Sequence, residues 1–136
     1  MKKKFEALAL RVTRLHEEGY GLAEVDGRKY GVFGALAGEE VVANPFTRRK
    51  RRIFARTEQV LEADVDRVAP VCAVADVCGG CTYQHMAAGA QRDMKLETLK
   101  QLLAATPPEK FLSTLTGPTE GYRAKARLGE IGRAHV

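Results

Sequence analysis

The sequence predicts a mainly β chain that turns helical later on: a small five-stranded barrel, then a cysteine-bearing loop, then one helix. Three observations predict it. Short alternating apolar runs separated by glycine-bearing turns fill residues 5–62, periodicity lapses where all three cysteines stand, and an apolar spacing of three and four begins near Met86.

In the first strand Leu8, Leu10 and Val12 share one face, because side chains alternate across a pleated strand, and that face is expected to point to the core. Gly19 and Gly21 then punctuate the chain. Asp26-Gly27, between residues 22–25 and 29–33, predicts a two-strand hairpin, since a type I′ turn needs positive φ at both central positions. Residues 34–38 make the next connection and residues 39–43 a fourth strand. Ile53, Phe54, Ala55, Thr57 and Val60 mark a fifth, after a loop that opens at Asn44-Pro45-Phe46. Five strands in such a short stretch suggest an OB-like barrel, a fold that often takes oligonucleotides.

Between residues 63 and 84 Pro70 and Gly79-Gly80 mark a loop, and its lack of apolar periodicity is explicable if a bound metal replaces a core. Residues 86–105 are expected to be helical, with Ala87, Ala90 and Met94 on one stripe and Leu96, Leu99 and Leu103 on a neighbouring one, before Pro107-Pro108 stops the helix. Residues 122–128 alternate like a strand without a partner strand in view, and a lone strand is not stable by itself. The expected division is therefore a barrel over 1–62, a cysteine loop over 63–85, a helix over 86–105 and the start of a further domain over 106–129.

With 45% hydrophobic and 29% charged residues the composition is that of a folded globular chain rather than a disordered one. No apolar run approaches the ~20 residues of a membrane helix, and Met1-Lys2-Lys3-Lys4 leads into a stretch too interrupted for a secretory signal. A cytoplasmic monomer is the expectation. The net charge of +5 is concentrated: residues 41–60 hold six basic residues, Arg48, Arg49, Lys50, Arg51, Arg52 and Arg56, against the single acid Glu58, while the rest of the chain balances sixteen against sixteen. A dense positive patch flanked by Phe46 and Phe54 is the combination that holds phosphates and stacks bases, and single-stranded or looped RNA fits it best. A solvated surface loop would show the same charge run, and the barrel context decides for RNA. Five or six neutralised phosphates would give a log–log salt slope of about −3.5 to −4 for a single strand.

Cys72, Cys78 and Cys81 lie within ten residues, with Gly79-Gly80 between the last two. An odd number of closely spaced cysteines is a poor disulfide framework and a common ligand pattern. Soft thiolates select zinc, copper(I) or iron-sulfur clusters, and four cysteines are the usual shell of a cubane cluster. His85, four residues past Cys81, could instead complete a zinc site of three cysteines and one histidine.

The strand-rich start, the basic stretch and Pro70-Val71-Cys72-x5-Cys78-Gly79-Gly80-Cys81-x2-Gln84-His85, followed by Gln91 and Lys95 on a helix, resemble the RNA uracil-5-methyltransferase family. The resemblance runs to about Leu128 and is greatest to the branch acting on 23S ribosomal RNA, in which an RNA-binding TRAM domain of the OB type precedes a 4Fe-4S cluster loop. It implies that Cys72, Cys78 and Cys81 are three cluster ligands, with the fourth a cysteine further along the family's chain, and that His85 is not a ligand. It also implies S-adenosylmethionine as methyl donor.

The family's chemistry needs a thiolate that adds to uracil carbon 6, so that carbon 5 can take the methyl group, and then a base that removes the proton. All three cysteines here belong to the loop and no glycine-rich strand-to-helix turn follows, so the chain reads as an inactive N-terminal part of such an enzyme. Residues 130–136 depart from the family, and codons can be chosen for them that reproduce the start of a common sequencing adapter, so they are expected not to be native. Two other readings compete: a free-standing RNA-binding module with a Cys3His zinc loop, and an electron-transfer protein. The latter would need four protein ligands where three thiolates are present.

Overall fold

The computed structural model describes residues 6–125, and over that range the chain is mainly β with helix after it. Six strands, β1 (Leu8–Arg11), β2 (Arg14–Leu15), β3 (Gly21–Val25), β4 (Arg28–Phe33), β5 (Glu40–Arg49) and β6 (Arg52–Glu62), are followed by a single helical turn, α1 (Ala75–Cys78), and by α2 (Ala88–Leu102). The strands form one mixed sheet in the order β1-β5-β6-β4-β3-β2. All neighbours are antiparallel except β4 and β6, which run parallel with Tyr30 beside Ile53 and Val32 beside Ala55.

Six strands replace the expected five because the first run divides. Leu8–Arg11 pairs with β5 and Arg14–Leu15 with β3. At the break, Val12 donates its N–H to Glu39 O at 2.9 Å and Thr13 to Leu22 O at 2.8 Å. The two edge strands are thus consecutive in the chain and linked through a bend, and no ladder seals them: the sheet is curled but open.

Alternation predicts the core correctly. Leu10 and Val12 are buried, with Ala23, Tyr30, Val32, Ala35, Val41, Ala43, Ile53 and Ala55, and Leu8 packs at the margin. Four alanines in this set make a narrow interior, and each larger aliphatic residue buried there contributes about 1.5–3 kcal/mol. The β3–β4 turn has Asp26 at φ 50° and Gly27 at φ 70°, the positive pair a type I′ turn requires.

The loop expected after residue 44 is instead the long hairpin β5–β6, whose tip is only Lys50-Arg51. Pro45 is tolerated inside β5 because it lies beyond the last residue that β1 pairs, Ala43, and beside a bulge at Phe46. The missing N–H therefore breaks no ladder.

The one buried charged residue among those described is Glu39, fully shielded between β4 and β5. It accepts from Leu36 N at 2.7 Å, Asp64 N at 3.2 Å, and Arg67 Nε and Nη2 at 2.5 and 2.8 Å, while Arg67 Nη2 also donates to Gly34 O at 2.7 Å. Burial alone would raise the Glu39 pKa. The Arg67 hydrogen bond, the two amides and the Arg67 charge together outweigh it and hold the carboxyl below its ordinary value. The pair ties the barrel to the segment that enters the cysteine loop.

The helix is shorter than the expected 86–105 and none of its residues is buried. Residues 106–125 form no strand; the expected strand at 122–128 lies partly, and the tail at 130–136 wholly, outside the described residues.

Candidate nucleic-acid interface and cysteine loop

Strand alternation that sends Ile53 and Ala55 inward sends Arg52, Phe54 and Arg56 outward. Phe33 at the end of β4 and Phe46 at the β5 bulge join them, 38% and 54% exposed. The rings form a continuous strip: Phe33 lies 5.9 Å from Phe54 and 6.2 Å from Phe46, centroid to centroid. Buried Tyr20 supports it, edge-on to Phe54 at 5.3 Å and stacked under His16 at 4.5 Å. Gly31 makes this packing possible, since a Cβ there would press on Phe54 at 2.8 Å and on Tyr20 at 3.1 Å.

Arg52 is part of the same surface. Its Nη1 donates to Tyr20 Oη at 2.7 Å and its guanidinium carbon stands 5.5 Å from the ring centre. Its Nε–H is buried without an acceptor among the described residues. The aromatics Tyr20 and Phe33 carry no sequence signal of their own as site residues, because only the β3–β4–β6 pairing brings them beside Phe54.

The six basic residues do not form one patch. Register sets Arg49 opposite Arg52 and Arg48 opposite Ile53, so Arg49, Arg52 and Arg56 flank the aromatic strip while Arg48 falls on the inner-face side, with Lys50 and Arg51 at the tip. The sequence shows a run, and a strand pair sorts such a run onto two sides.

The cysteine loop is pinned at its base. Arg67 pairs with Met86, Val68 N donates to His85 O at 3.0 Å, and Ala87 N donates to Asp66 O at 2.8 Å. Gln84 Oε1 accepts from Cys72 N at 3.2 Å, and Gln91 Nε2 donates to Tyr83 O and Met86 O at 3.0 and 2.8 Å, fixing the start of α2. The loop also touches the barrel: Gly19, at φ 88°, has no room for a Cβ against Thr82 Cγ2.

A cleft of about 430 Å³ separates loop and barrel, with Phe33, Arg56 and Thr57 on one side and Asp76, Cys81 and His85 on the other. Burial first, and then the nearby Arg67 charge, lower the His85 pKa, against smaller opposing effects that include the Ala35 backbone.

Cys72 is half-buried and Cys78 and Cys81 are exposed, all as free thiols. Among the described residues no three His, Cys, Asp or Glu side chains are gathered closely enough to hold a metal. The donor set nonetheless suits a thiolate-bound group. Gly79 caps α1 at φ 69°, and any side chain at Gly80 would begin 3.4 Å from Cys78 Sγ, so the glycine at 80 keeps the space beside that sulfur open.

Curated relatives carry the same stretch of sequence. Proteins named 23S rRNA (uracil(1939)-C(5))-methyltransferase RlmD are 41% identical over 122 residues in Pseudomonas putida and 44% identical over 123 in Halomonas elongata, each match covering 88% of this chain. In Alkalilimnicola ehrlichii the identity is 39% over 127 residues, or 90% of the chain.

Over this stretch the chain is homologous to RNA uracil-5-methyltransferases.

It spans about a quarter of the length of the curated relatives it matches, 26–28% in these three. No protein-family model matches it. The chain pairs a curled sheet bearing an aromatic, basic face with a loop of three thiols. Among the described residues no helix is long and apolar enough to cross a membrane.

Proposed function

We propose that this chain is the RNA-docking and cluster-bearing part of a cytoplasmic, monomeric, S-adenosylmethionine-dependent 23S rRNA (uracil-C5)-methyltransferase. The observation that carries the reading is the strip of exposed Phe33 and Phe46 and half-buried Phe54, bordered by Arg49, Arg52 and Arg56. Rings supply sequence-tolerant stacking, and the cations supply phosphate attraction. Arg48, on the inner side of the hairpin, and Lys50 and Arg51, at its tip, are assigned to RNA contacts apart from this strip. The barrel is assigned to residues 1–62, the cysteine loop to 63–85 and the helix to 86–105, with a further domain starting in 106–129.

Cys72, Cys78 and Cys81 would hold three corners of a 4Fe-4S cluster. When bound, it supplies cross-links to a loop that has no core of its own, with Val71, Val74 and Val77 all exposed. Methyl transfer to uracil carbon 5 needs a thiolate free to add to carbon 6. With its cysteines committed to the loop, this chain alone is expected to bind RNA without methylating it.

Titration of a labelled single-stranded oligouridine tests the reading. Phe33→Ala and Phe46→Ala are each expected to weaken binding about fivefold or more, from ~1–3 kcal/mol per stacked base. Unchanged affinity in both variants would overturn it.

A further inference from the structure

The cations left off the aromatic face have a place of their own. Along β4 the inward positions are Tyr30 and Val32, and the next inward position toward the β3–β4 turn is Arg28. Along β5 the position opposite inward-facing Ile53 is Arg48. Both strands run past the last core layer, so these two inward positions emerge at the mouth of the curled sheet. Arg51, at the hairpin tip, completes a concave surface of about 800 Å³ with Lys29 on its rim and Glu6 as its one acid. Arg28, Lys29, Arg48 and Arg51 are all exposed, and none forms an ion pair among the described residues.

This mouth differs chemically from the outer face. Its aromatic residue, Tyr30, is 5% exposed and belongs to the core, so no aromatic ring here is open to stack on a base. Cations without exposed aromatic rings suit a nucleic acid whose bases are already paired, where phosphates and 2′-hydroxyls are what a protein meets. The aromatic face suits unpaired bases. The β5–β6 hairpin carries cations for both, because alternation directs successive arginines to opposite sides.

We infer that the mouth formed by Arg28, Arg48 and Arg51 is a second RNA site that grips duplex phosphates, so that the domain recognises a junction between paired and unpaired RNA. The inference rests on the proposed RNA-docking role and adds to it the kind of RNA that is docked.

The experiment compares three RNAs on the full chain: a short hairpin with a single-stranded oligouridine tail, the tail alone, and the blunt hairpin alone. A tail of about eight nucleotides lies within the site size of an OB-type barrel. The wild-type chain should bind the tailed hairpin more tightly than either part. Arg48→Ala/Arg51→Ala should weaken the tailed and blunt hairpins by tens-fold near 0.1 M salt and flatten their salt slopes by about 1.8, from roughly 0.9 per contact, while the tail alone is unaffected. Phe33→Ala/Phe46→Ala should weaken the tail and tailed hairpin but not the blunt one.

Equal loss on the tail alone in the arginine variant would overturn the second site and leave one single-strand track. Wild-type binding of the tailed hairpin no tighter than the tail would do the same. Failure of the wild-type chain to bind any of the three RNAs would instead remove the RNA-docking role itself.

Discussion

At the scale of single residues, Glu39 is the most consequential side chain outside the aromatic strip. Its carboxylate is fully shielded and serves Leu36, Asp64 and Arg67, so replacing it leaves a guanidinium and two amides without their acceptor. Glu39→Ala is expected to cost about 3–5 kcal/mol in chemical denaturation, the range for breaking a buried pair. Because its pKa is held below the ordinary 4.5, the stabilisation is complete above that pH and fades as pH falls through the lower folded-state value. Acid titration of the wild-type chain and a Glu39→Gln variant checks the sign: the variant should lose less stability below pH 4.5. This residue was not legible in the sequence, since its partner Arg67 lies 28 positions away and nothing local announces the pairing. Leu10 and Val12 were legible, because alternation alone assigns their side of the strand.

Elements show where sequence reading holds and where tertiary geometry takes over. The Asp26-Gly27 turn is written in two residues and appears as expected. The β5–β6 hairpin is not, because Asn44-Pro45 signals a break and only pairing shows that Pro45 occupies a position where no bond is lost. A bulge at Phe46 then turns that ring onto the outer face. The division of Arg48–Arg49 between two sides follows from the same register. In the cysteine loop, Gly19 is the contact that seats it on the barrel, and Gly19→Ala adds both a left-handed backbone cost of about 1–2 kcal/mol and a collision with Thr82. That variant should unfold at lower denaturant and be cleaved faster within residues 68–85 under limited proteolysis; wild-type behaviour in both assays would dismiss the contact. Iron and acid-labile sulfide measured after anaerobic preparation test the thiols. Both should fall in Cys78→Ser, whereas zinc without iron in the wild-type chain would contradict the cluster.

For the whole molecule, a mainly β domain followed by a helix is what periodicity can specify, and it is what is seen. An open edge between β1 and β2 in place of a sealed barrel depends on a bend at Val12–Thr13, which no residue type there dictates. The position of α2 is similarly unreadable, since Leu99 and Leu102 remain exposed and no residue of the helix is fully buried. The distribution of charge over the assembled surface changes the salt dependence expected from the sequence. Five or six contacts in one track would give about −3.5 to −4 for a single strand, but three on the aromatic face, Arg49, Arg52 and Arg56, give about −2 at roughly −0.7 each. The salt dependence of oligouridine binding is therefore the most direct measurement of whether this face docks RNA. A log–log slope near −2 is the expected result, and an affinity that does not change with salt would contradict it.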